Sequence, residues 1–198
     1  KMRLAALLVG AVLSAAVFYR NHRKIKYKRS FKSLFQEFDL ASARTRWQLC
    51  LTFGVSSVML IASLVGIPKA MWVGIAAMSV LAPFRSDLEY RVKYRAPGNI
   101  LGSILFLLLY YILPEGSIAY LGILGGIGQG LSASYGWQTT FNGLSALSIA
   151  VPVFGVPFAI FLRIFNNLFG SVYVWLFNRT FEPFISFVNN KCEKSIAS

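Results

Sequence analysis

The sequence places an arginine seven residues before a glycine near the start of three long apolar runs. The copies are Arg3–Gly10, Arg95–Gly102 and Arg163–Gly170, and the last two also have an asparagine, Asn99 or Asn167, four residues after the arginine. Offsets of four and seven return to nearly the same angle on a helix, so the arginine, asparagine and glycine share one face. Because a cation beside lipid hydrocarbon is costly, that face is expected to point into a bundle, a cavity or an interface. The pattern predicts a membrane protein with repeated polar helix entries.

Composition also favours a membrane location. The chain is 56% apolar and 14% charged, whereas soluble domains are about 25% charged. Several apolar segments have only about 15 residues where a full span needs about 20, so these are expected to be tilted, broken or extended by turns that face protein. We predict an all-α, polytopic transmembrane helix bundle of about seven spans, with short interfacial helices at residues 31–38 and 181–188. The apolar segments are residues 4–19, 47–67, 70–84, 99–113, 117–134, 139–161 and 164–178.

The distribution of charge predicts the orientation. A net charge of +13 would indicate nucleic-acid binding in a soluble chain, but here the basic residues lie in loops between apolar segments. Basic residues are concentrated on the cytoplasmic side of membrane proteins. Residues 20–46, residues 85–95 and the tail from Arg179 are therefore assigned to the cytoplasm. We predict a multi-pass protein of the inner (cytoplasmic) membrane with a cytoplasmic C-terminus, in contact with membrane lipid and not with nucleic acid. This assignment leaves only four basic residues outside the cytoplasm: Lys1, Arg3, Lys69 and Arg163.

A change in composition near Arg46 divides the chain. We predict that residues 1–19 are the last span of an upstream unit, residues 20–46 a basic cytoplasmic linker with an amphipathic helix, residues 47–188 a six-span unit, and residues 189–198 a cytoplasmic tail. The chain begins with Lys1 rather than Met, so it is interpreted as a fragment that lacks its N-terminal portion. Repeated units of this kind are common in transporters, which bind substrate at the interface between repeats.

Arg95 and Asn99 are the first candidate binding residues. A guanidinium and an amide beside the free N–H groups of a helix start would bind a carboxylate. The alternative is that Arg95 binds lipid phosphate while Asn99 bonds a neighbouring helix. Arg163, with Asn166 and Asn167, is expected to form a second polar cluster, although Arg163 could instead snorkel to the membrane surface.

A third group of candidate binding residues lies within one apolar segment, at its inner entrance. Its members are Gln138, Thr139, Thr140 and Asn142. Trp72, near the outer end of its segment, is predicted to belong to an interfacial aromatic belt. Small residues allow close helix packing in membranes, and six glycines are predicted to have this role. For Gly122, Gly126 and Gly130 the alternative is a flexible wall along a conduction path. The glycines predicted to pack helices are Gly98, Gly102, Gly122, Gly126, Gly130 and Gly170.

The sequence offers no support for catalysis. It contains one histidine, His22, and two cysteines, Cys50 and Cys192, that lie in different regions, so no metal site is predicted. It has neither a glycine-rich phosphate loop nor a nucleophile paired with a base. We therefore predict that the protein is not an enzyme and uses no cofactor. The apolar segments contain no Asp or Glu, so a carboxylate relay within the membrane is not expected.

A run of short motifs between residues 47 and 178 resembles a known family. They are Trp72-Val-Gly-Ile, Val80-Leu-Ala-Pro-Phe84, the Arg95 motif, Tyr135 to Thr140, and the Arg163 motif. Together they resemble the fusaric acid resistance and aromatic acid exporter family of inner-membrane proteins, whose plant relatives include aluminium-activated malate channels. The family pattern has Gly-Thr where this chain has Gly98-Asn99, and Asp-Thr where it has Asn166-Asn167.

The resemblance implies gradient-driven export of small organic anions, mainly aromatic carboxylic acids, by a six-span unit that often pairs as a homodimer. Arg95 and Asn99 would receive the carboxylate at the inner mouth, and Gln138, Thr139 and Asn142 would line its path. Two alternatives stay open: a passive organic-anion channel, and a structural membrane protein whose arginine–glycine motifs only pack helices.

Overall fold

The computed structural model describes residues 2–25, 42–114 and 116–196. Every regular element in these residues is an α-helix, which confirms the all-α prediction for this part of the chain. The predicted interfacial helix at residues 31–38 lies outside the described residues. The helices are α1 (Met2–His22), α2 (Ala43–Leu64), α3 (Ala70–Val80), α4 (Arg85–Ile112), α5 (Ile118–Leu131), α6 (Tyr135–Phe154) and α7 (Val156–Ile196).

The chain divides into two compact units, Lys1–Asp39 and Leu40–Ser198. The first unit contains α1, a helix of 21 residues that carries the first arginine–glycine motif. The second unit contains α2 to α7, and with them both of the motifs that include an asparagine. The boundary falls within the stretch predicted as a basic linker.

Three helices in the described residues are long and apolar enough to cross a membrane: Ala43–Leu64, Ser86–Ile112 and Val156–Ile185. The apolar helices α3 and α5 have only 11 and 14 residues. At 1.5 Å per residue they are about 17 and 21 Å long, against a hydrocarbon core of about 30 Å. The structure thus contains membrane-type helices, and the predicted count of seven spans is not confirmed.

Special backbone conformations mark the start of α3 and the boundary between α6 and α7. Lys69, which precedes α3, has a φ of 56°, a left-handed conformation that is unfavourable for residues other than glycine. Gly155 has a φ of 75° and separates α6 from α7. Its N–H closes the last turn of α6 by donating to Val151 O at 2.9 Å.

The second unit is built from pairs of contacting helices. Helix α4 packs on α6, and α3 packs on α7, while α5 lies on α6 and α2 lies on both α3 and α7. Two buried clusters result. One holds α2, α3, the start of α4 and α7, and the other joins α3, α4, α5, α6 and α7. Large apolar side chains such as Leu60, Ile123 and Leu131 are exposed, as expected for a surface in contact with lipid.

The two asparagine-containing motifs do not begin helices, contrary to the prediction. Helix α4 starts at Arg85, well before Arg95, and α7 starts at Val156, well before Arg163. Residues 85–94 have the polarity of a loop, but in the structure they are the first residues of α4. Residues 181–188 likewise continue α7, with Pro183 inside the helix. The free N–H groups of a helix start are therefore not available at either arginine.

Candidate functional site

Arg95 is the centre of a buried polar cluster. Only 4% of its surface is exposed. Its Nε and Nη2 atoms both donate to Asn167 Oδ1 on α7, at 3.1 and 2.8 Å. Its Nη1 atom donates to the hydroxyl groups of Ser79 on α3 and Tyr135 on α6. One guanidinium group on α4 therefore connects to three other helices, and all of these partners are neutral.

Arg163 lies in a second buried cluster, with 1% of its surface exposed, and so it does not snorkel. Its Nη2 atom donates to Asn142 Oδ1 on α6, and its guanidinium carbon lies 5.1 Å from the centroid of the Trp72 ring. The prediction that Trp72 belongs to an interfacial belt is wrong, because this indole is buried and offers its ring face to a cation. The Nε atom of Arg163 has no hydrogen-bond partner.

Each arginine shares a helix face with the asparagine four residues later, as predicted. Asn99 Nδ2 donates to Arg95 O at 2.9 Å, and Asn167 Nδ2 donates to Arg163 O at 2.7 Å. The two carbonyl oxygens of these amides differ in their surroundings. Asn167 Oδ1 accepts from Arg95, whereas Asn99 Oδ1 is buried without a partner.

Asn166 makes its hydrogen bonds to a turn and not to either guanidinium group. Its Nδ2 atom donates to Pro68 O at 2.9 Å and to Lys69 O at 3.3 Å. These bonds fix the chain where Lys69 adopts its left-handed conformation. In this arrangement the Asn166 amide group supports the start of α3 and does not line the cavity described next.

A cavity of about 190 Å³ lies beside Arg95, between α3, α4, α5 and α6. It brings together four of the predicted binding residues: Arg95, Gln138, Thr139 and Asn142. The wall combines one aliphatic side chain with two cations, a phenol, a hydroxyl pair and three amides. The lining residues are Ile75, Ser79, Arg91, Arg95, Gln129, Tyr135, Gln138, Thr139 and Asn142.

Hydrogen bonds hold the amides of this cavity wall in place. Asn142 Nδ2 donates to Gln129 Oε1 at 3.0 Å, and Gln138 Nε2 donates to Ser132 O at 3.1 Å. Thr140 lies elsewhere, since its hydroxyl donates to Gly136 O within its own helix and its side chain lines a separate, mainly apolar groove. The third group of candidate binding residues is thus divided: Gln138, Thr139 and Asn142 line the cavity beside Arg95, and Thr140 lies on another surface of α6.

Ser79 and Arg91 line the cavity but were not predicted. Ser79 is the only hydroxyl residue in α3, a weak signal that gains meaning only once α3 is known to face Arg95. Arg91 lies in a segment that was read as a loop, and its guanidinium carbon is 5.4 Å from the centroid of the Tyr135 ring. Both residues were missed because the contact depends on tertiary packing.

The predicted packing glycines fall into two classes. A Cβ at Gly98 would overlap Thr139 Oγ1, one at Gly102 would overlap Thr140 O, and one at Gly170 would overlap Val73 O. These three glycines therefore allow close contacts between the backbones of neighbouring helices.

The packing face of α5 differs from the predicted ladder. A Cβ at Gly122 would lie 2.7 Å from Ser148 Oγ, but one at Gly126 or Gly130 would meet nothing within 4 Å. In this chain the close contacts of α5 are made by Gly122, Gly125 and Gly128. A spacing of three brings these residues to the side that faces α6.

The charge balance within the site is one-sided. Helices α2, α3, α5 and α6 contain no Asp or Glu, and Glu115 is the single acidic residue between Glu89 and Glu182. A buried cation without an opposite charge is destabilising. A larger cavity, of about 500 Å³, lies near Arg179, but Glu89 and Glu182 in its lining make it less suited to an anion. The cavity beside Arg95 is therefore the better candidate for a negatively charged ligand.

Comparison with known proteins identifies the family. The family model described as fusaric acid resistance protein-like matches residues 56–177, and this range includes both asparagine-containing motifs and every residue that lines the cavity beside Arg95. No curated protein and no solved structure matches the chain. Because the match covers more than half of the sequence, the chain belongs to the fusaric acid resistance protein-like family of membrane proteins.

Proposed function

We propose that this protein exports organic anions, chiefly aromatic carboxylic acids, across the cytoplasmic membrane. The observation that carries the proposal is the buried Arg95 guanidinium group, which adjoins a cavity and has only neutral hydrogen-bond partners. An anionic ligand would supply the missing opposite charge. Fusaric acid, from which the family takes its name, is itself an aromatic carboxylic acid.

The two edges of the Arg95 guanidinium group have different roles in this mechanism. Asn167 accepts from Nε and Nη2 and fixes the plane of the group. Nη1 is bonded to the hydroxyl groups of Ser79 and Tyr135, both of which line the cavity. An incoming carboxylate would replace one or both hydroxyl groups at Nη1 and accept hydrogen bonds from them. Charge-assisted bonds of this kind are about twice as strong as neutral ones.

The remainder of the cavity fits a small ring. Its volume of about 190 Å³ is below the roughly 300–1,000 Å³ of sites for drug-sized ligands. Ile75 and the Tyr135 ring supply apolar surface, while Gln138 and Asn142 can bond polar substituents. Arg91 adds a second positive charge at the wall. Homodimer formation, and a cytoplasmic opening of the cavity, belong to the same proposal.

The experiment is efflux of radiolabelled aromatic carboxylates from preloaded cells that express the protein, with and without a protonophore. We expect Arg95→Ala to lower the efflux rate by about tenfold or more, since a hydrogen bond to a charged group contributes about 1.5–3 kcal/mol. Arg179→Ala is the matched control, because Arg179 is an exposed arginine on α7, outside the cavity beside Arg95.

The outcomes separate three classes of protein. Efflux that requires both Arg95 and the gradient supports an exporter. Efflux that requires Arg95 and persists with the protonophore would replace the exporter with a passive anion channel. If no acid is released at any protein level, the transport proposal is wrong and a structural role takes its place.

A further inference from the structure

The two asparagine-containing motifs form the same structural unit. This unit extends one residue beyond the arginine-to-glycine spacing identified in the sequence. Ser103 and Ser171 each follow the motif glycine. Ser103 Oγ donates to Asn99 O at 2.8 Å, and Ser171 Oγ donates to Asn167 O at 2.7 Å. Together with the asparagine bonds to the arginine carbonyl groups, this gives identical hydrogen-bond ladders on α4 and α7.

The two glycines of the repeat also contact their partner helices in the same way. Gly102 on α4 lies against the carbonyl group of Thr140 on α6, and its Cβ would be 3.1 Å from Thr140 C. Gly170 on α7 lies against the carbonyl group of Val73 on α3, and its Cβ would be 3.2 Å from Val73 C. The pair α4–α6 is thus equivalent to the pair α7–α3.

The direction of the helices shows that this repeat is inverted. The contact of Gly98 with Gly136 and that of Gly102 with Thr140 make α4 and α6 parallel. Likewise, Asn166 contacts Lys69 and Gly170 contacts Val73, so α7 and α3 are parallel.

Helices α3 and α4 run in opposite directions. Val80, at the end of α3, clusters with Leu88 near the start of α4, whereas Trp72, at the start of α3, clusters with Phe106 near the end of α4. It follows that α3 is antiparallel to its equivalent, α6. The halves α2–α4 and α5–α7, which contain these oppositely directed pairs, therefore resemble the inverted repeats of transporters, which place substrate sites between repeats.

One pair of contacts breaks the symmetry. Arg95 bonds Asn167 across the two halves, and the equivalent contact would join Arg163 to Asn99. This contact is not formed, and Arg163 Nε and Asn99 Oδ1 are two of the three buried side-chain atoms without a partner among the described residues. Buried polar atoms are nearly always bonded, and a bond between these two atoms in another state would give each of them a partner.

Access to the two arginines is also unequal. The residue one turn before Arg95 is Arg91, which lines the cavity. The residue one turn before Arg163 is Ala159, whose exposed fraction is 0%. The position beside Arg163 that is equivalent to the cavity-lining Arg91 is therefore fully buried.

We propose that the two halves exchange roles, so that the Arg95–Asn167 bond is replaced by an Arg163–Asn99 bond as the cavity beside Arg95 closes and an equivalent cavity beside Arg163 opens. This inference rests on the proposed transport function, for which it supplies the alternating step. Asn99 and Asn167 act as positioning residues, each of which stabilises one of the two states.

The test measures accessibility and needs no substrate. Single cysteines are introduced by Gln138→Cys, beside Arg95, or by Ala159→Cys, beside Arg163, in a chain that also carries Cys50→Ser and Cys192→Ser. The rate of labelling by a small charged thiol reagent is followed in permeabilised membranes. Each reporter is combined with Asn167→Ala or with Asn99→Ala.

The two asparagine variants should have opposite effects. Asn167→Ala removes the bond of the present state, so labelling at Ala159→Cys should rise about tenfold relative to labelling at Gln138→Cys. Asn99→Ala removes the bond of the other state and should lower the same ratio. Shifts in one direction for both variants, or no shift in either, would overturn the exchange.

Two controls keep the result interpretable. If an alanine variant does not reach the membrane, Asn99→Thr and Asn167→Thr replace the pair, because a threonine hydroxyl can keep the bond to the carbonyl group four residues back but is too short to reach the other half. Opposite shifts without any efflux would leave the exchange standing and remove the transport proposal. If efflux depends on Arg95 but both asparagine variants shift the labelling ratio in the same direction, the transport proposal stands and the exchange is wrong.

Discussion

At the scale of single residues, the chemistry of the site depends on the planar fork of arginine. Arg95 uses one edge of the guanidinium group for Asn167 and the other nitrogen for Ser79 and Tyr135. Lysine would retain the charge but presents its donors from a single point. Position 95 therefore needs shape as well as charge.

Arg95→Lys is predicted to lower efflux nearly as much as Arg95→Ala, by about tenfold, because a lysine cannot hold Asn167 and a carboxylate at the same time. Arg179→Lys serves as the control and should transport at the rate of the unaltered protein. The measurement is the initial rate of release of a labelled aromatic acid at equal protein levels. Full activity in Arg95→Lys would mean that position 95 needs only a positive charge, as expected if Arg95 packs helices or binds lipid.

Sequence spacing predicted the residues of this site better than their partners. Both arginines and both motif asparagines were recognised because offsets on a helix are local properties. The bond from Arg95 to Asn167 joins positions on two helices far apart in the chain, and no spacing rule predicts it. The same reason explains why Ser79 was missed and why Asn166 was expected at a binding site although it bonds the turn before α3.

At the scale of helices, glycines set the distance between the equivalent pairs α4–α6 and α7–α3. Gly102 and Gly170 lie against main-chain carbonyl groups, and a main chain cannot move aside as a side chain can. Gly130 on α5 has no such neighbour in this chain. The two kinds of position provide a matched comparison within one protein.

Gly102→Ala and Gly170→Ala are predicted to destabilise the protein by about 1–3 kcal/mol each, the usual cost of overpacking. Gly130→Ala should be neutral or stabilising, because alanine is favoured over glycine within a helix by about 0.5–1 kcal/mol. The midpoint of thermal unfolding in detergent reports all three variants. A loss at Gly130→Ala equal to the other two would show that this face of α5 packs against another molecule, as the predicted homodimer would allow.

Helix ends were harder to predict than helix faces. The apolar segments indicated where most helices lie, but α4 and α7 extend beyond them into polar sequence. The length of an apolar run indicates only the part of a helix that contacts lipid or a core. The helix itself continues for as long as its backbone hydrogen bonds are satisfied. Arg95, at the proposed anion site, therefore lies inside α4 and not at its start.

At the scale of the whole molecule, the inverted repeat explains why α3 can be short. Helices α3 and α6 are equivalent, and each packs on a long helix of the other half. In such proteins, short or interrupted helices lie at the interface between repeats, where protein and not lipid surrounds them. The difficulty in predicting seven spans has the same cause, because a helix shielded from lipid need not be long enough to span it.

The orientation of α5 tests this organisation directly. Its 14 residues measure about 21 Å, so it crosses a core of about 30 Å only if the turns at both ends extend into it. We predict that Ser117→Cys, before α5, is labelled from outside intact cells by an impermeant thiol reagent. Ser132→Cys, after α5, should be labelled only in opened cells, because the neighbouring Tyr135 lies against Arg91 and residues 85–95 are predicted to be cytoplasmic.

Each other result carries a definite meaning. Labelling of both positions from outside would show that α5 does not separate the two faces of the membrane, and the inverted three-helix halves would then not span it as equivalents. Labelling of Ser132→Cys alone from outside would invert the protein. In that case the cavity beside Arg95 would open to the exterior, and the free acid would meet the arginine from the side opposite to the one that export requires.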